Sequence, residues 1–318
     1  MSTTGRRTPK PPERPAAAIH VITGSEVTST RSPRVKAARQ LARRSARQRA
    51  RLFLAEGPQA VREALGWPGA AGARAGPDSG ETAGAGMVTE VFVTAAARSR
   101  YAELVTRAAG QGAAVHAVSG EVMAELAQTI TPQGLLAVCR FVDVPLEQLT
   151  AAAPRLVVLL ANVRDPGNAG TVLRTADAAG ADGVVFSDAS VDPYNSKCVR
   201  ASAGSLFHLP IVVGAPLRQA ATALRRAGLQ VLAADGSAGR ELGDLEPDRG
   251  LAGPTAWLFG NEAWGLPGEL LALADEAVAV PIYGRAESLN LAAAAAVCLY
   301  ASAGAQRRGR AGTAASAN

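Results

Sequence analysis

The sequence predicts an α/β protein with a mostly parallel C-terminal sheet covered by helices on both faces, preceded by a smaller α/β/α domain. The first observation behind this prediction is that short apolar runs alternate with helical stretches, a pattern typical of parallel sheets. The second is a hydrophobic content of 48% over 318 residues, which is enough for two ordinary domains with cores of their own. The predicted domains are 21–142 and 155–304, joined by a linker over 143–154 and followed by a flexible tail over 305–318.

The first domain follows a basic segment over 1–20 that lacks apolar periodicity and is predicted to be disordered. Ser32-Pro33 then begins a predicted basic helix over 33–51, because proline is favoured at the first position of a helix. Residues 67–86 are dominated by Gly, Ala, Pro and Ser and predict a flexible loop. The remaining elements predicted here are strands 52–55, 88–93, 114–118 and 134–141 and helices 59–65, 95–109 and 120–127.

The second domain begins with a strand over 155–163 that is predicted to be fully buried, and it continues as alternating helices and strands. Its first helix is predicted to stop at Gly180, since glycine readily adopts the left-handed conformation that ends a helix. Near the end of the chain, β-branched residues predict a strand over 277–282, and Ser288 is well placed to cap an Ala-rich helix over 289–303. The elements predicted in between are helices 168–179, 196–203 and 216–227 and strands 183–186, 211–213, 230–234 and 256–260.

Basic residues are concentrated at the N-terminal end of the chain. Residues 1–51 contain thirteen Lys or Arg, and Glu13 and Glu26 are their only acidic residues. Subtracting these from the totals of 33 basic and 27 acidic residues leaves 20 basic and 25 acidic residues for the rest of the chain. This asymmetry favours a polyanion as the partner of the N-terminal region.

The predicted basic helix contains no acidic residue at i,i+4 spacing, so its like charges repel each other unless an anion lies nearby. We therefore expect it to contact nucleic acid, with a solvated charged helix as the alternative. Gln133, in a turn over 131–134, is a further candidate contact, although a plain turn residue fits the sequence as well. The basic residues expected to contact phosphates are Arg31, Arg34, Lys36, Arg39, Arg43 and Arg44.

The sequence lacks the patterns of a membrane span, a secretory signal, a disulfide framework and a metal site. Only the Ala-rich stretch near the end is long and uncharged, and it is shorter than the ~20 residues that a bilayer requires. The basic N-terminal segment is not followed by an apolar core. The three Cys and three His are widely scattered. We therefore expect a cytoplasmic protein without a bound metal.

Three polar loops follow predicted strands and are expected to meet, because the carboxyl ends of parallel strands share one edge of a sheet. These loops, 164–170, 260–266 and 283–290, contain neither G-x-G-x-x-G nor G-K-[ST], which argues against a nicotinamide-dependent Rossmann enzyme. The chain also lacks a G-x-S-x-G turn, and no His is placed to act as a triad base. Such loops suit a reaction whose donor is already activated. The polar residues expected to converge are Asn168, Arg174, Glu262, Ser288 and Asn290.

Some of these polar residues also have purely structural interpretations. Asn168 is a residue type that caps helices well. Asn290 is compatible with a buried amide whose hydrogen bonds are satisfied, and Arg174 with an ion pair to Asp177 on the same helix. The sequence alone leaves these alternatives open.

Three segments of the second domain resemble motifs one, two and three of the SpoU-type (TrmH family) RNA 2'-O-ribose methyltransferases of the SPOUT superfamily. They are NVRDPGNAGTVLRTADAAGAD, LFGNEAWGL and VPIYGRAESLNLAAAAAVCLY, in the order of the family. The first domain resembles, more loosely, the RNA-binding domain, related to a ribosomal protein fold, that precedes the catalytic domain in many members. That likeness depends on PRVKAAR, FLAEG and TPQGLLAV.

The resemblance implies a deep C-terminal trefoil knot, S-adenosylmethionine as the cofactor, and a homodimer with the active site at its interface. It also implies methylation of a ribose 2'-hydroxyl in structured RNA, with large-subunit ribosomal RNA favoured over transfer RNA. A non-catalytic RNA-binding or ribosome-assembly factor is the alternative, and the intact motif residues argue against it.

Residue roles are carried over from the family by position. Motif one supplies Asn168 and Arg174, and motif two supplies the acid Glu262. Motif three supplies Ser288 and Asn290. Because arginine is protonated at ordinary pH, we expect Arg174 to anchor a phosphate and polarise the 2'-hydroxyl rather than act as a base. The residues expected to line the cofactor pocket are Leu258, Gly260, Asn261, Gly265, Ile282, Ser288, Leu289 and Leu291.

Overall fold

The computed structural model describes residues 25–67, 86–245, 250–261 and 263–315, with side chains up to residue 309. The predicted disordered segment over 1–20, and all but the two ends of the predicted loop over 67–86, lie outside the described residues. Two sheets form the framework, one of four strands and one of six.

The N-terminal sheet has four strands in the order β1-β4-β2-β3, in which β4 runs antiparallel to both of its neighbours and β2 and β3 are parallel. Its strands are β1 (Leu52–Glu56), β2 (Val88–Val93), β3 (Ala114–Ala117) and β4 (Leu135–Arg140). The helices of this half are α1 (Pro33–Gln40), α2 (Arg44–Ala50), α3 (Pro58–Gly66), α4 (Ala95–Arg100), α5 (Ala102–Gly110) and α6 (Gly120–Leu126).

The single basic helix predicted over 33–51 is wrong, because the chain forms α1 and α2 with a break between them. Arg47 explains the break: its side chain is 4% exposed and donates to the backbone carbonyls of Leu41 and Ala42, at 2.9 and 2.8 Å. The same guanidinium binds Asp192 through Nε and Nη2, at 2.9 and 2.5 Å. Arg47 therefore has an acidic partner far away in the chain, and its buried guanidinium is not available to nucleic acid.

The C-terminal sheet has six strands in the order β10-β8-β9-β5-β6-β7, and every pair is parallel. Every residue of β5, β6 and β9 is buried, as expected for strands covered on both faces. The strands are β5 (Leu156–Leu160), β6 (Gly183–Ser187), β7 (Ile211–Ala215), β8 (Gln230–Ala234), β9 (Thr255–Phe259) and β10 (Glu276–Val278). The helices are α7 (Leu146–Ala151), α8 (Pro166–Ala179), α9 (Ser196–Ala201), α10 (Leu217–Arg226), α11 (Gly268–Leu271) and α12 (Leu291–Ala315), with 3-10 turns at Ser205–Phe207 and Leu242–Leu245.

The end of the chain differs from the prediction in three ways. Strand β10 ends at Val278 rather than at residue 282. Helix α12 begins two residues later than predicted, and its cap is Asn290 rather than Ser288, because the side chain of Asn290 accepts from the N–H of Ala292 at 2.9 Å. The helix also continues to residue 315, so it extends into the segment over 305–318 predicted to be a flexible tail.

Helix α12 is held beyond residue 303 by Gln306, which is 7% exposed. Its amide donates to the carbonyls of Arg155 and Gly253, at 2.9 and 3.0 Å. The segment predicted as a linker is also ordered, since it contains α7, whose Leu149 is 2% exposed against the sheet.

The two halves share one continuous hydrophobic core. Tyr194 stacks on Phe141 with ring centroids 3.7 Å apart and lies 4.9 Å from Phe53. Its hydroxyl accepts from the N–H groups of Val142 and Asp143, at 2.9 and 2.8 Å. Together with the buried ion pair between α2 and residue 192, this core fixes the N-terminal half against the C-terminal half. A trefoil knot stays a prediction from the resemblance.

Candidate active site

A cavity of about 450 Å³ lies where β8, β9 and β10 end. These three strands are neighbours in the sheet, so the segments that follow them meet at its carboxyl edge. The residues lining the cavity come from three segments and the first turns of α12: Ala234, Asp235, Gly236, Phe259, Gly260, Asn261, Ala263, Gly265, Val280, Ile282, Glu287, Ser288, Leu289, Asn290, Leu291 and Ala294.

The loop after β9 is tightly closed. Asn261 and Gly265 exchange two backbone hydrogen bonds of 2.9 Å, and Gly265 adopts a positive φ of 64°. A Cβ on residue 260 would lie 2.4 Å from the carbonyl of Gly265, so the close approach requires glycine at position 260. The amide of Asn261 donates to the carbonyl of Asn162 at 2.7 Å and so ties this loop to the segment after β5.

Helix α8 brings Asn168 to the mouth of the cavity. The cap of this helix is Asp165, which accepts from the N–H of Asn168 at 2.8 Å, so the interpretation of Asn168 as the cap is wrong. A hydrogen bond from Lys197, at 2.7 Å, lowers the pKa of Asp165, with a further contribution from the backbone of Asn168. The side chain of Asn168 instead accepts from the amide of Asn290 at 3.0 Å.

The contact between Asn168 and Asn290 joins the first and third predicted loops, as expected. Asn290 has a double role, since its amide nitrogen reaches Asn168 and its oxygen caps α12. Asn290 is exposed, so its interpretation as a buried amide is wrong. Both side-chain amides are held in place before any ligand arrives.

Arg174 lies on α8, six residues after Asn168, and is exposed. Its side chain makes no ion pair or hydrogen bond with any residue that the structure describes. The alternative pairing with Asp177 is not formed, because Asp177 binds His208 at 2.7 Å instead. The guanidinium of Arg174 is therefore available to an anion from outside the chain.

Seven of the eight residues predicted to bind the cofactor line the cavity. The exception is Leu258, whose side chain is 1% exposed and belongs to the core on the other side of β9. Glu262, the predicted motif-two acid, lies outside the described residues. The sequence reasoning missed the residues after β8, including Asp235 and Gly236, because chain order does not show that β8 lies between β9 and β10.

The seven residues predicted to bind RNA are all exposed. Arg39 pairs with Glu125 on α6, and a guanidinium nitrogen of Arg34 lies 3.3 Å from Nδ1 of His116. Gln133 lies elsewhere, at the rim of a second cavity in the N-terminal half. Their contacts with RNA stay a prediction.

Comparisons with known families and proteins identify the family of this chain. Residues 155–300 match the model of the SpoU rRNA Methylase family. Residues 82–145 match the model described as RNA 2'-O ribose methyltransferase substrate binding. The 23S rRNA (guanosine(2553)-2'-O)-methyltransferase RlmP of Bacillus subtilis is 34% identical over 275 residues, which cover 86% of this chain and 98% of that protein. The chain belongs to the SpoU methyltransferase family.

Solved structures of SpoU methyltransferases have the same fold. The AdoMet-bound rRNA methyltransferase from Sinorhizobium meliloti superimposes with a TM-score of 0.71 at 30% identity, covering 89% of this chain and 98% of that one. The SpoU methyltransferase AviRb from Streptomyces viridochromogenes, in complex with AdoMet, gives a TM-score of 0.70 at 28% identity, covering 87% and 99%. The predicted fold class and the predicted cofactor are thereby confirmed.

The cavity fits S-adenosylmethionine. Its volume of about 450 Å³ is within the range of small-molecule sites, about 300–1,000 Å³. Phe259, Val280 and Leu289 provide apolar walls for an adenine. Asp235 and Glu287 add carboxylates, which suit the positive charges of a sulfonium and an ammonium group.

Three further properties of the described residues concern metal binding, thiol protonation and membrane spanning. Within the described ranges, no group of three or more His, Cys, Asp or Glu is placed to hold a metal ion. Burial raises the pKa of the Cys298 thiol to about 12, so it stays protonated at neutral pH. None of the helices in the part of the chain that the structure describes could cross a membrane.

Proposed function

We propose that this chain transfers the methyl group of S-adenosylmethionine to a ribose 2'-hydroxyl of large-subunit ribosomal RNA in the cytoplasm. The observation that carries the proposal is the contact between Asn168 and Asn290 at the mouth of a cavity suited to this cofactor. Relatives of this chain named as methyltransferases of 23S rRNA, among them RlmP, support the substrate.

The residues of this chain act by positioning, because the bound cofactor supplies a methyl group already activated on a sulfonium. The paired amides of Asn168 and Asn290 form a fixed polar rim beside the cavity. Arg174 is permanently charged, and its exposed guanidinium is suited to hold the phosphate next to the target ribose. In this position the guanidinium would also polarise the 2'-hydroxyl, which favours loss of the hydroxyl proton to water as the oxygen receives the methyl group.

A second copy of the chain is proposed to cover the open side of the site. Ile282 and Leu289 line the cavity and are each 38% exposed. Val297 and Tyr300 lie on one face of α12, three residues apart, and are 42% and 55% exposed. Contiguous apolar groups of this kind mark interaction surfaces. Light scattering should therefore report a dimer, and Tyr300→Glu should shift it towards the monomer.

The proposed reaction is tested by transfer of labelled methyl from S-adenosylmethionine to deproteinised total RNA, followed by mapping of ribose methylation. We expect label at one nucleotide of large-subunit RNA. Label in transfer RNA would support the proposed chemistry but overturn large-subunit RNA as the substrate. No transfer to any RNA or to ribosomal particles would overturn the enzyme and favour an RNA-binding factor.

Arg174→Ala tests the mechanism in the same assay. We expect methyl transfer to fall about 100-fold, as on removal of one charge-stabilising group, with unchanged affinity for S-adenosylmethionine. Arg218→Ala is the matched control, because Arg218 is an exposed arginine on α10 that does not line the cavity. Full turnover by Arg174→Ala would remove this residue from the mechanism.

A further inference from the structure

A second cavity, of about 360 Å³, lies in the N-terminal half where β2 and β3 end and β4 begins. It is lined by α4, by α6 and by the turn before β4. All of its lining residues fall between residues 94 and 134, inside the segment that matches the substrate-binding family model. It is therefore separate from the cofactor cavity and belongs to the part of the chain that matches this family model.

The lining of this second cavity suits a flat aromatic ring with polar edges. Met123 and Ala97 are 2% and 4% exposed and form an apolar floor, and a methionine sulfur packs well against aromatic rings. Gln133 and Arg100 are exposed at the rim. An amide offers both a donor and an acceptor to a base edge, and a guanidinium binds phosphate.

The turn before β4 packs closely on its neighbours. Gly134 has a φ of 78°, and a Cβ there would lie 2.5 Å from the hydroxyl of Thr94, so the turn packs directly on the start of α4. Gly57 has a φ of 90°, and a Cβ there would lie 3.0 Å from the amide oxygen of Gln133. Two glycines with positive φ therefore allow the turn before β4 to pack closely on α4 and against the start of α3.

Two cations of α9 contact residues next to this cavity and next to the active site. Next to Gly57, Glu56 accepts from Arg200 of α9 at 3.5 Å. One turn earlier on α9, Lys197 binds Asp165, the cap of the helix that carries Asn168. The side chains of Arg200 and Lys197 are 31% and 55% exposed, so both remain accessible to phosphates. The shared core keeps the two cavities at a constant separation.

We propose that the second cavity binds one unpaired nucleobase of the RNA substrate at a fixed distance from the methylated ribose. Lys197 and Arg200 contact the backbone between the two positions. This inference rests on the proposed function. It adds a second recognition point that selects the target nucleotide by its spacing from another base.

Two neighbouring alanines allow a matched test. Ala95 and Ala96 are both exposed on α4, but only Ala96 lines the cavity. We expect Ala96→Phe to fill the cavity and to weaken binding of a large-subunit RNA transcript about ten-fold in a filter assay, as for the loss of one base contact. Ala95→Phe should bind like the unaltered chain, and Gln133→Ala should reproduce the loss. Affinity for S-adenosylmethionine and the melting temperature should be the same in all four proteins.

The outcomes separate this inference from the proposed function. Equal RNA binding by Ala96→Phe and Ala95→Phe would overturn the nucleobase site, whatever the methylation assay shows. If Ala96→Phe weakens binding to intact ribosomal particles but binds naked RNA normally, the cavity binds a protein, and the nucleobase site is also overturned. If the unaltered chain binds RNA without methylating it, the function fails and the binding comparison still decides the cavity. If it binds no RNA, both fail.

Discussion

The substitution Gly260→Ala provides a sharp test of how the cofactor cavity is built. It adds a single methyl group at the point where β9 gives way to the closed loop Asn261–Gly265. The new Cβ would lie 2.4 Å from the carbonyl carbon and oxygen of Gly265. Because both are backbone atoms, no side-chain rotation relieves the overlap, and the whole loop has to move.

The size of the effect follows from these distances. Ordinary van der Waals contact begins at 3.4 Å, so the loop has to shift by about 1 Å, the difference between 3.4 and 2.4 Å. Such a shift stretches both hydrogen bonds between Asn261 and Gly265, now 2.9 Å long, beyond normal range. At about 1 kcal/mol for each bond, restoring the binding geometry of the loop costs about 2 kcal/mol. The affinity for the cofactor should therefore fall about 30-fold.

Isothermal titration with S-adenosylmethionine measures this effect directly. Gly268→Ala is the matched control, since it adds the same methyl group eight residues further along, at a position with nothing within 4 Å. Gly268→Ala should bind the cofactor as the unaltered chain does, and both variants should unfold cooperatively. If Gly260→Ala binds as tightly as Gly268→Ala, the loop does not shape the cofactor cavity as argued.

Three further predictions concern the polar contacts. Asn290→Asp keeps the oxygen that caps α12 but loses the amide donor, so methyl transfer should fall at least about ten-fold while stability in urea is unchanged. Asn290→Ala should lose the same activity and also about 1 kcal/mol of stability. Full activity of Asn290→Asp would contradict a role of the amide donor in methyl transfer. Arg47→Met should lower the free energy of unfolding by about 3–5 kcal/mol. Adding Asp192→Asn, which removes the unpaired charge but keeps an oxygen for the N–H of Tyr194, should restore part of this loss; a double variant no more stable than the single one would refute the pairing. Burial alone would lower the pKa of His208, but its hydrogen bonds to two carboxylates raise this pKa above 6.5. The protonated imidazole therefore stabilises the fold fully below pH 6.5, and this stabilisation is lost as the pH rises through the raised pKa. The difference in melting temperature between the unaltered chain and His208→Gln should thus be larger in acid than in alkaline buffer. A difference that does not change with pH would contradict the raised pKa.

The elements of the fold were predictable where local pattern decides them. The strands Val88–Val93 and Gln230–Ala234 lie at the predicted residues, because their apolar runs are bounded by polar or small residues. Helix α8 ends at Gly180 in the left-handed conformation, as predicted from glycine alone. In these cases the sequence of a short window contains all the information that is needed.

Long-range contacts decided the points where the prediction failed. Arg47 and Asp192 are 145 residues apart in the chain, so no local pattern shows that their pairing divides the basic helix in two. Ser288 and Asn290 are both good helix caps. The choice of Asn290 coincides with its hydrogen bond to Asn168, 122 residues away.

The candidate site was predictable to the extent that its loops follow strands. The loops after β5, β9 and β10 do meet, and the amides of Asn168 and Asn290 touch. The contribution of Asp235 was missed because its strand, β8, is third from last in the chain but lies between β9 and β10 in the sheet. Strand order is set by crossover connections, which leave no local signature in the residues.

The N-terminal basic residues divide into two groups with different physical roles. Arg47 is buried against Asp192 and joins the two halves of the protein, and Arg39 and Arg51 are paired with Glu125 and Asp143. A cation already neutralised by its own chain releases fewer counterions when RNA binds. Among the described cations of this N-terminal region, the electrostatic contribution to RNA binding should therefore come mainly from the exposed ones that have no ion pair with a described residue, namely Arg31, Arg34, Lys36, Arg43, Arg44 and Arg49. Part of the positive charge of this region therefore stabilises the fold, and the formal net charge of the region is larger than the charge available to bind RNA.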